Sequence, residues 1–177
     1  MSRYFLLLCL TILLFGGGPP AGAASLPQII GEAGVTDGDT IRMPIAVLVT
    51  ADATKTVKNI RIRLHGIDAP EKRQVCLTAA GAPWACGQDA LKAVADIISG
   101  KKITCEIHDI DRYDRLVSVC SVTGIADINA ELVRRGLAVA YQKYSMDYVD
   151  EEEIAQKKKI GIWQGSFDMP WDWRKLH

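Results

Sequence analysis

Three short charged clusters, far apart in the sequence, carry the residue types that phosphodiester chemistry requires. They are residues 37–40 (Asp-Gly-Asp-Thr), 68–71 (Asp-Ala-Pro-Glu) and 111–115 (Asp-Arg-Tyr-Asp-Arg). Carboxylates supply the hard oxygen ligands that calcium prefers, and arginine supplies a planar cationic fork that fits a phosphate. A carboxylate beside a water molecule can also accept its proton. Each cluster taken singly is equally typical of a turn, a loop or a charged hairpin tip.

The elements that must position these clusters begin with a hairpin. The segments from Ile41 to Val49 and from Val57 to Leu64 are rich in β-branched and apolar residues, and the segment between them is small and polar. This pattern predicts two antiparallel strands. In the second strand apolar residues alternate with Arg61, Arg63 and His65, so one face is predicted to be core and the other cationic. Pro44 predicts a bulge or an edge position in the first strand.

Helices and a second hairpin follow. Apolar residues recur at helical spacing from Leu91 to Ile98, and Gly100 ends the run. The apolar runs 103–107 and 116–122 predict the second hairpin. A short helix is predicted to start with Asp127 or Asn129 as its N-cap and to end at Gly136, and a third is predicted from about Tyr148 to Ile160. The order predicts a mixed α+β fold, in which a small Greek-key barrel closes the few strands.

Cysteine usage indicates an oxidising compartment. Four cysteines follow the leader described below, an even number that favours two disulfides. If the second hairpin turns near residues 112–113, Cys105 and Cys120 lie opposite each other across the strands. Cys76 and Cys86 would then close a loop of small residues, which stabilises the fold by about 3 kcal/mol in the chain-entropy model. A zinc site is the alternative, but the sequence has no Cys-x-x-Cys and no paired histidines.

The first 23 residues are typical of a secretory signal peptide. Arg3 precedes a short apolar run from Tyr4 to Phe15, and small residues follow it. Cleavage after Ala23 or Ala24 leaves one domain at residues 24–164 and a tail at 165–177. An uncleaved anchor is the alternative. The whole chain has 21 basic and 21 acidic residues, and removing Arg3 leaves a net charge of −1. Affinity for a polyanion must therefore come from local placement of charge.

Taken together, in order, the three clusters resemble the staphylococcal nuclease (thermonuclease) family. The family pattern has Asp-Gly-Asp-Thr, an arginine-containing strand that runs into Asp-x-Pro-Glu, and Asp-x-Tyr-Gly-Arg. Here these are residues 37–40, Arg63 with residues 68–71, and residues 111–115, with Asp114 in place of the glycine. Residues 129–138 and 161–163 also resemble that family. The resemblance spans about residues 35–163.

The resemblance implies a five-stranded oligonucleotide-binding (OB-type) Greek-key barrel with about three α-helices packed on it. It further implies one calcium ion bound by Asp39, Asp68 and the backbone carbonyl of Ala69. The remaining roles by position are phosphate binding by Arg63 and Arg115, orientation or deprotonation of water by Glu71, and nucleotide contact by Tyr113 and Tyr141.

The expected protein is a monomeric, periplasmic or secreted nuclease. It would hydrolyse DNA and RNA, with single strands favoured, and leave 3′-phosphate ends. Two other hypotheses remain at this point. One is a barrel that binds nucleic acid without cleaving it, and the other is a cell-envelope interaction module in which calcium is structural. The tail containing Trp171 and Trp173 is predicted to pack back onto the domain rather than to bind a ligand.

Overall fold

A computed structural model describes residues 25–177. The predicted signal peptide, residues 1–23, lies outside the described residues. Within the described part of the chain, no helix is long and apolar enough to cross a membrane.

Five strands close into a barrel. The strands of the molecule are β1 (Gln28–Glu32), β2 (Gly34–Asp37), β3 (Thr40–Val49), β4 (Thr54–Leu64), β5 (Ile67–Asp68), β6 (Cys76–Leu77), β7 (Pro83–Trp84), β8 (Lys102–Ile110), β9 (Leu116–Val122) and β10 (Val139–Ala140). The main sheet runs β1-β8-β9-β4-β3-β2, and β1 also pairs with β3, so the sheet closes on itself. All pairings in this ring are antiparallel except that of β4 with β9. The predicted barrel is therefore confirmed.

The barrel interior is filled by the apolar residues that alternate along the strands. Ile29, Met43, Ile62 and Ile103 are fully buried, each from a different strand. Their neighbours in sequence point to the other face, because side chains alternate along a strand. This alternation places Arg63, between the buried Ile62 and Leu64, on the outside of the barrel.

Both predicted hairpins are present, and β3–β4 is the longer. It pairs Thr40 with Arg63 at one end and Val49 with Thr54 at the other. Pro44 does not interrupt β3. It lies where the partner of β3 changes from β2 to β1, a position at which its missing N–H costs no ladder hydrogen bond. The strands β1 and β2 were not predicted, since they are short and glycine-containing and show weak alternation.

Within residues 25–177 four α-helices accompany the barrel, one more than predicted. They are α1 (Cys86–Ile98), α2 (Ile128–Arg134), α3 (Val149–Lys158) and α4 (Pro170–Leu176), with a 3₁₀ turn at Gly161–Gln164. The extra helix, α4, lies in the C-terminal tail, where seven residues are too few to show a clear helical period. Asp127 is the N-cap of α2 and accepts a hydrogen bond from the Ala130 N–H at 2.9 Å.

The alternative N-cap, Asn129, has a different role. It is fully buried, and its amide donates to the carbonyls of His65 (3.0 Å) and Ser118 (3.1 Å). Its side-chain oxygen accepts the Cys120 N–H at 3.3 Å. Asn129 thus ties α2 to the end of β4 and to β9, where the one parallel pairing closes the barrel.

Two disulfides are present, Cys76–Cys86 and Cys105–Cys120. Cys105 and Cys120 are direct partners across β8 and β9. Cys76–Cys86 connects β6 to the first residue of α1. The loop that it closes follows the Asp-Ala-Pro-Glu cluster, so this disulfide lies close in sequence to Glu71.

Candidate active site

Asp39 lies in the turn between β2 and β3. Its carboxylate accepts the Ala69 N–H and the Thr40 hydroxyl, both at 3.0 Å, so it already connects the first charged cluster to the second. The preceding Gly38 is required by packing. A Cβ atom at that position would lie 2.8 Å from the Ala69 Cβ and 3.1 Å from the Ala90 Cβ of α1.

Arg63 lies at the end of β4 and contacts both metal-ligand candidates. Its guanidinium is paired with the Asp39 carboxylate and donates to Asp68 at 2.8 Å and to the Ile67 carbonyl at 3.0 Å. Burial lowers the pKa of Arg63, and the Asp68 charge opposes that shift. Because Arg63 faces Thr40 across the β3–β4 ladder, register alone places it beside Asp39.

Asp68 and Glu71 come from β5 and the loop that follows it. Asp68 is fully buried, whereas the Glu71 side chain is 23 % exposed. The Glu71 backbone is fixed by Gln74, whose side chain accepts the Glu71 N–H at 3.1 Å and whose N–H donates to the Glu71 carbonyl at 2.7 Å. It is also packed against α1, where Gly87 leaves no room for a side chain.

Arg115 is delivered by the tip of the β8–β9 hairpin. Its Nε donates to Asp111 at 2.7 Å, and its Nη1 reaches the Thr40 hydroxyl at 3.4 Å. The second contact brings the third cluster to the first. The partner of Arg115 is thus Asp111 and not the neighbouring Asp114, which adopts the left-handed conformation (φ 57°).

The two tyrosines lie near different charged groups of the site. Tyr113 is half exposed at the hairpin tip, and the guanidinium carbon of Arg115 lies 5.4 Å from its ring centre. Tyr141 follows β10, and its N–H donates to the Gly66 carbonyl at 2.8 Å. Burial raises the pKa of Tyr141, and the nearby Asp68 charge adds to that shift.

The donor set fits a hard cation. The carboxylates of Asp39 and Asp68 converge on one guanidinium, that of Arg63, so their oxygens face a common point. No group of three or more His, Cys, Asp or Glu side chains that could hold a metal occurs within residues 25–177. A cation here would therefore need backbone carbonyl and water oxygens as well, which is ordinary for calcium and unsuited to zinc.

Sequence reasoning missed one residue at this site, Arg174 of α4. Its Nη1 donates to Glu71 at 2.7 Å and to Asp68 at 3.1 Å, and its Nη2 donates to Asp68 at 2.8 Å. Burial alone would lower the pKa of Arg174, but the hydrogen bonds to Asp68 and Glu71 outweigh it and raise the pKa. No local pattern marked Arg174, because its helix is too short to show a clear period and its partners lie 103 and 106 positions away.

The chain is similar to a known protein family and to several named proteins. The family described as staphylococcal nuclease homologue matches residues 61–165. The chain is 35% identical to an uncharacterized endonuclease of Haemophilus influenzae over 144 residues, covering 80% of this chain and 70% of the relative. It is 34% identical over 146 residues to the succinoglycan biosynthesis protein ExoI of Rhizobium meliloti, covering 81% and 68%. It is 29% identical over 154 residues to a micrococcal nuclease of Shigella flexneri, covering 80% and 77%.

Proposed function

Since the chain belongs to the staphylococcal nuclease family and is a phosphodiester hydrolase that acts on nucleic acid, we propose that it is an exported, calcium-dependent nuclease. It cleaves both DNA and RNA, favours single strands and leaves 3′-phosphate ends. The family resemblance of the three charged clusters motivates the calcium dependence and the product.

One observation carries the proposal: three clusters separated by up to 78 positions form one continuous set of contacts. Arg63 pairs with Asp39 and Asp68, and Arg115 reaches Thr40 beside Asp39. A barrel that only bound strands would need stacking aromatics and diffuse positive charge instead. Converging carboxylates and arginines support catalysis over simple binding.

The residues divide into three tasks. Calcium would be held by Asp39, Asp68 and the Ala69 carbonyl. When bound, it would act as a Lewis acid that polarises a phosphate oxygen. Arg63 and Arg115 bind the non-bridging oxygens of the scissile phosphate and stabilise the negative charge that develops on them. Both arginines are already oriented by carboxylates, Arg63 by Asp39 and Asp68 and Arg115 by Asp111.

Glu71 is assigned to the water. Its carboxylate accepts a proton as the water oxygen attacks phosphorus, the 5′-oxygen leaves with a proton from solvent, and the phosphate stays on the 3′-oxygen. Tyr113 and Tyr141 are assigned to contact with the nucleotide, through ring face or hydroxyl. The chain acts as a monomer.

The compartment is inferred from the cysteines. Disulfides form and persist where the surroundings are oxidising, as in the periplasm or outside the cell. The predicted signal peptide would direct the chain there. Mass analysis of the exported protein under non-reducing conditions should find an N-terminus at Ala24 or Ser25 and no free thiol.

The deciding experiment uses the mature, oxidised protein with a single-stranded oligonucleotide, in calcium or in a calcium chelator. Cleavage should require calcium, yield 3′-phosphate products by mass spectrometry and disappear in Asp39→Ala. Glu71→Gln should lower turnover by about a hundredfold while nucleotide affinity changes little. Glu106→Gln, an exposed carboxylate on β8, is the matched control and should behave as the parent.

Each rival gives its own result. Strand binding without cleavage in any metal would identify a non-catalytic barrel. Calcium binding without affinity for oligonucleotides would identify an envelope module. Full cleavage in chelator would mean that Asp39 and Asp68 are turn residues and that calcium has no part in the reaction.

A further inference from the structure

Helix α4 places a charged side chain on the proposed catalytic carboxylates. The Arg174 guanidinium bonds to both oxygens of Asp68 and to one oxygen of Glu71, at 2.7–3.1 Å. Asp68 is 106 positions and Glu71 is 103 positions from Arg174 in the sequence. The contact is therefore a product of how the tail folds back onto the barrel.

A second residue of the same helical face covers the neighbouring nucleotide position. The Trp171 ring is stacked on the Tyr141 ring, with centroids 5.1 Å apart and planes inclined by 8°. Residues three apart lie on one side of a helix. One face of α4 thus contacts Glu71, which is assigned to activate water, and Asp68, which is a metal-ligand candidate. The same face covers the Tyr141 ring, on which a base would stack.

The first part of the tail is attached to the domain more firmly than its last part. Its first part is fixed, since the Ser166 carbonyl accepts the Leu77 N–H at 2.8 Å and the Asp168 carbonyl accepts the Gln74 side-chain amide at 2.6 Å. Pro170 is buried, whereas Arg174 is 39 % exposed and Leu176 is 72 % exposed. Residues 171–177 can therefore leave the site while residues 166–170 stay attached.

We propose that α4 is an autoinhibitory element: Arg174 and calcium compete for Asp68, and residues 171–177 must leave before the site can bind calcium and nucleic acid. This inference rests on the proposed function, because it concerns regulation of the same site. The tail therefore sets how much calcium the enzyme needs before it cuts.

Charge supports the competition. Asp39, Asp68 and Glu71 face the guanidiniums of Arg63 and Arg174, which leaves a net charge of −1 for this group. Departure of Arg174 leaves −2, the charge that one divalent cation balances. Asp68 is fully buried, and a buried carboxylate is costly unless a cation compensates it. Calcium and Arg174 are alternative cations that, together with Arg63, can compensate the buried charge of Asp68.

The test compares calcium affinity, measured by isothermal titration calorimetry, in the parent and three variants. Arg174→Gln leaves a shorter, neutral polar side chain that cannot compete with a cation, so calcium should bind about tenfold more tightly. Arg174→Lys keeps the charge without the fork and should fall between Arg174→Gln and the parent. Lys175→Gln is the control. Its ion-pair partner is Asp172 of the same helix, and its affinity should equal that of the parent.

Hydrogen exchange supplies a second measurement that does not depend on activity. Adding calcium to the parent should increase amide exchange in residues 171–177 and leave exchange in the barrel strands unchanged. Slower exchange in the tail with calcium would overturn the proposal, because it would make α4 part of the loaded site.

The outcomes also separate this inference from the function on which it rests. Equal calcium affinity in the parent and Arg174→Gln, with calcium-dependent cleavage in both, would overturn the competition and leave the nuclease assignment standing. No calcium binding in any of the four proteins would overturn both.

Discussion

Two arginines support the phosphate assignment at the level of single residues, and their hydrogen bonds make the roles testable. Arg63 is largely buried between Asp39 and Asp68, whereas Arg115 is held by Asp111 at the rim. The planar fork of each is already oriented by a carboxylate. Substitutions that keep the charge but remove the fork therefore test the geometry rather than the electrostatic attraction.

Arg115→Lys should lower turnover by about a hundredfold and change oligonucleotide affinity much less. Lysine keeps the positive charge but loses the bidentate geometry that matches the oxygens of the transition state. The measurement is kcat against the dissociation constant for a non-cleaved oligonucleotide, with Arg42→Lys on the outer face of β3 as control. Equal losses in both quantities would show that Arg115 binds the ground state only.

The stability of the β8–β9 hairpin tip should depend on pH through Asp111. Burial alone would raise the pKa of Asp111, but hydrogen bonds from the Arg115 backbone and side chain and from the Tyr113 backbone outweigh it and lower the pKa. A lowered pKa in the folded state adds stability above the unfolded pKa of about 3.9. That stability is lost as the pH falls through the folded value.

We therefore expect Asp111→Asn to lower the free energy of unfolding by about 1–2 kcal/mol at pH 6 and to have a much smaller effect near pH 2. Urea denaturation at both pH values measures this. Asp96→Asn, whose partner Lys92 is exposed on α1, is the control and should change stability little. A difference that stayed constant with pH would show that the Asp111 charge has no part in holding the tip.

At the level of elements, α1 determines where Glu71 lies. Its second residue, Gly87, packs against the Glu71 backbone so closely that a Cβ atom would lie 1.8 Å from the Glu71 carbonyl oxygen. The atom in the way is backbone, so the Glu71 segment or the helix must move to admit any side chain. The position of Glu71 therefore depends on α1, although Gly87 has no side chain that could take part in the reaction.

Gly87→Ala should lower kcat by ten- to a hundredfold, because displacing a reacting group by about 1 Å costs that much. Calcium affinity should be nearly unchanged, since the atoms nearest to a Cβ at Gly87 belong to Glu71 and Lys72 and not to Asp39 or Asp68. Gly34→Ala is the control, because a Cβ atom there has no neighbour within 4 Å. Unchanged kcat in Gly87→Ala would mean that Glu71 tolerates the shift or is not the group that activates water.

For the whole molecule, the two disulfides stabilise different parts. Cys105–Cys120 joins two barrel strands, and Cys76–Cys86 fixes the segment between Glu71 and α1. The barrel supports all three charged clusters, while the segment supports one of them. Removing each disulfide should therefore affect stability and activity in different proportions.

The double substitution Cys105→Ala/Cys120→Ala should lower the free energy of unfolding by about 3 kcal/mol and leave kcat of the folded fraction near that of the parent. Cys76→Ala/Cys86→Ala should lower stability by a similar amount and also reduce kcat, because the Glu71 loop is released. Chemical denaturation and assays well below the melting temperature separate the two effects. Equal kcat in both variants would contradict the assignment of the second disulfide to the Glu71 loop.

The sequence by itself predicted the barrel, its two hairpins, three of the four described helices and the residues of the three charged clusters. Alternation of apolar residues fixed which face of β4 carries Arg63, and local turn chemistry marked the clusters, because both depend on neighbours in the chain. Tertiary structure alone decided that Arg115, which is held by Asp111, reaches Thr40, and that Gly87 packs against Glu71. It also decided that Arg174 lies on Asp68 and Glu71. Contacts between residues about a hundred positions apart leave no local pattern, since only packing of the tail on the barrel brings them together.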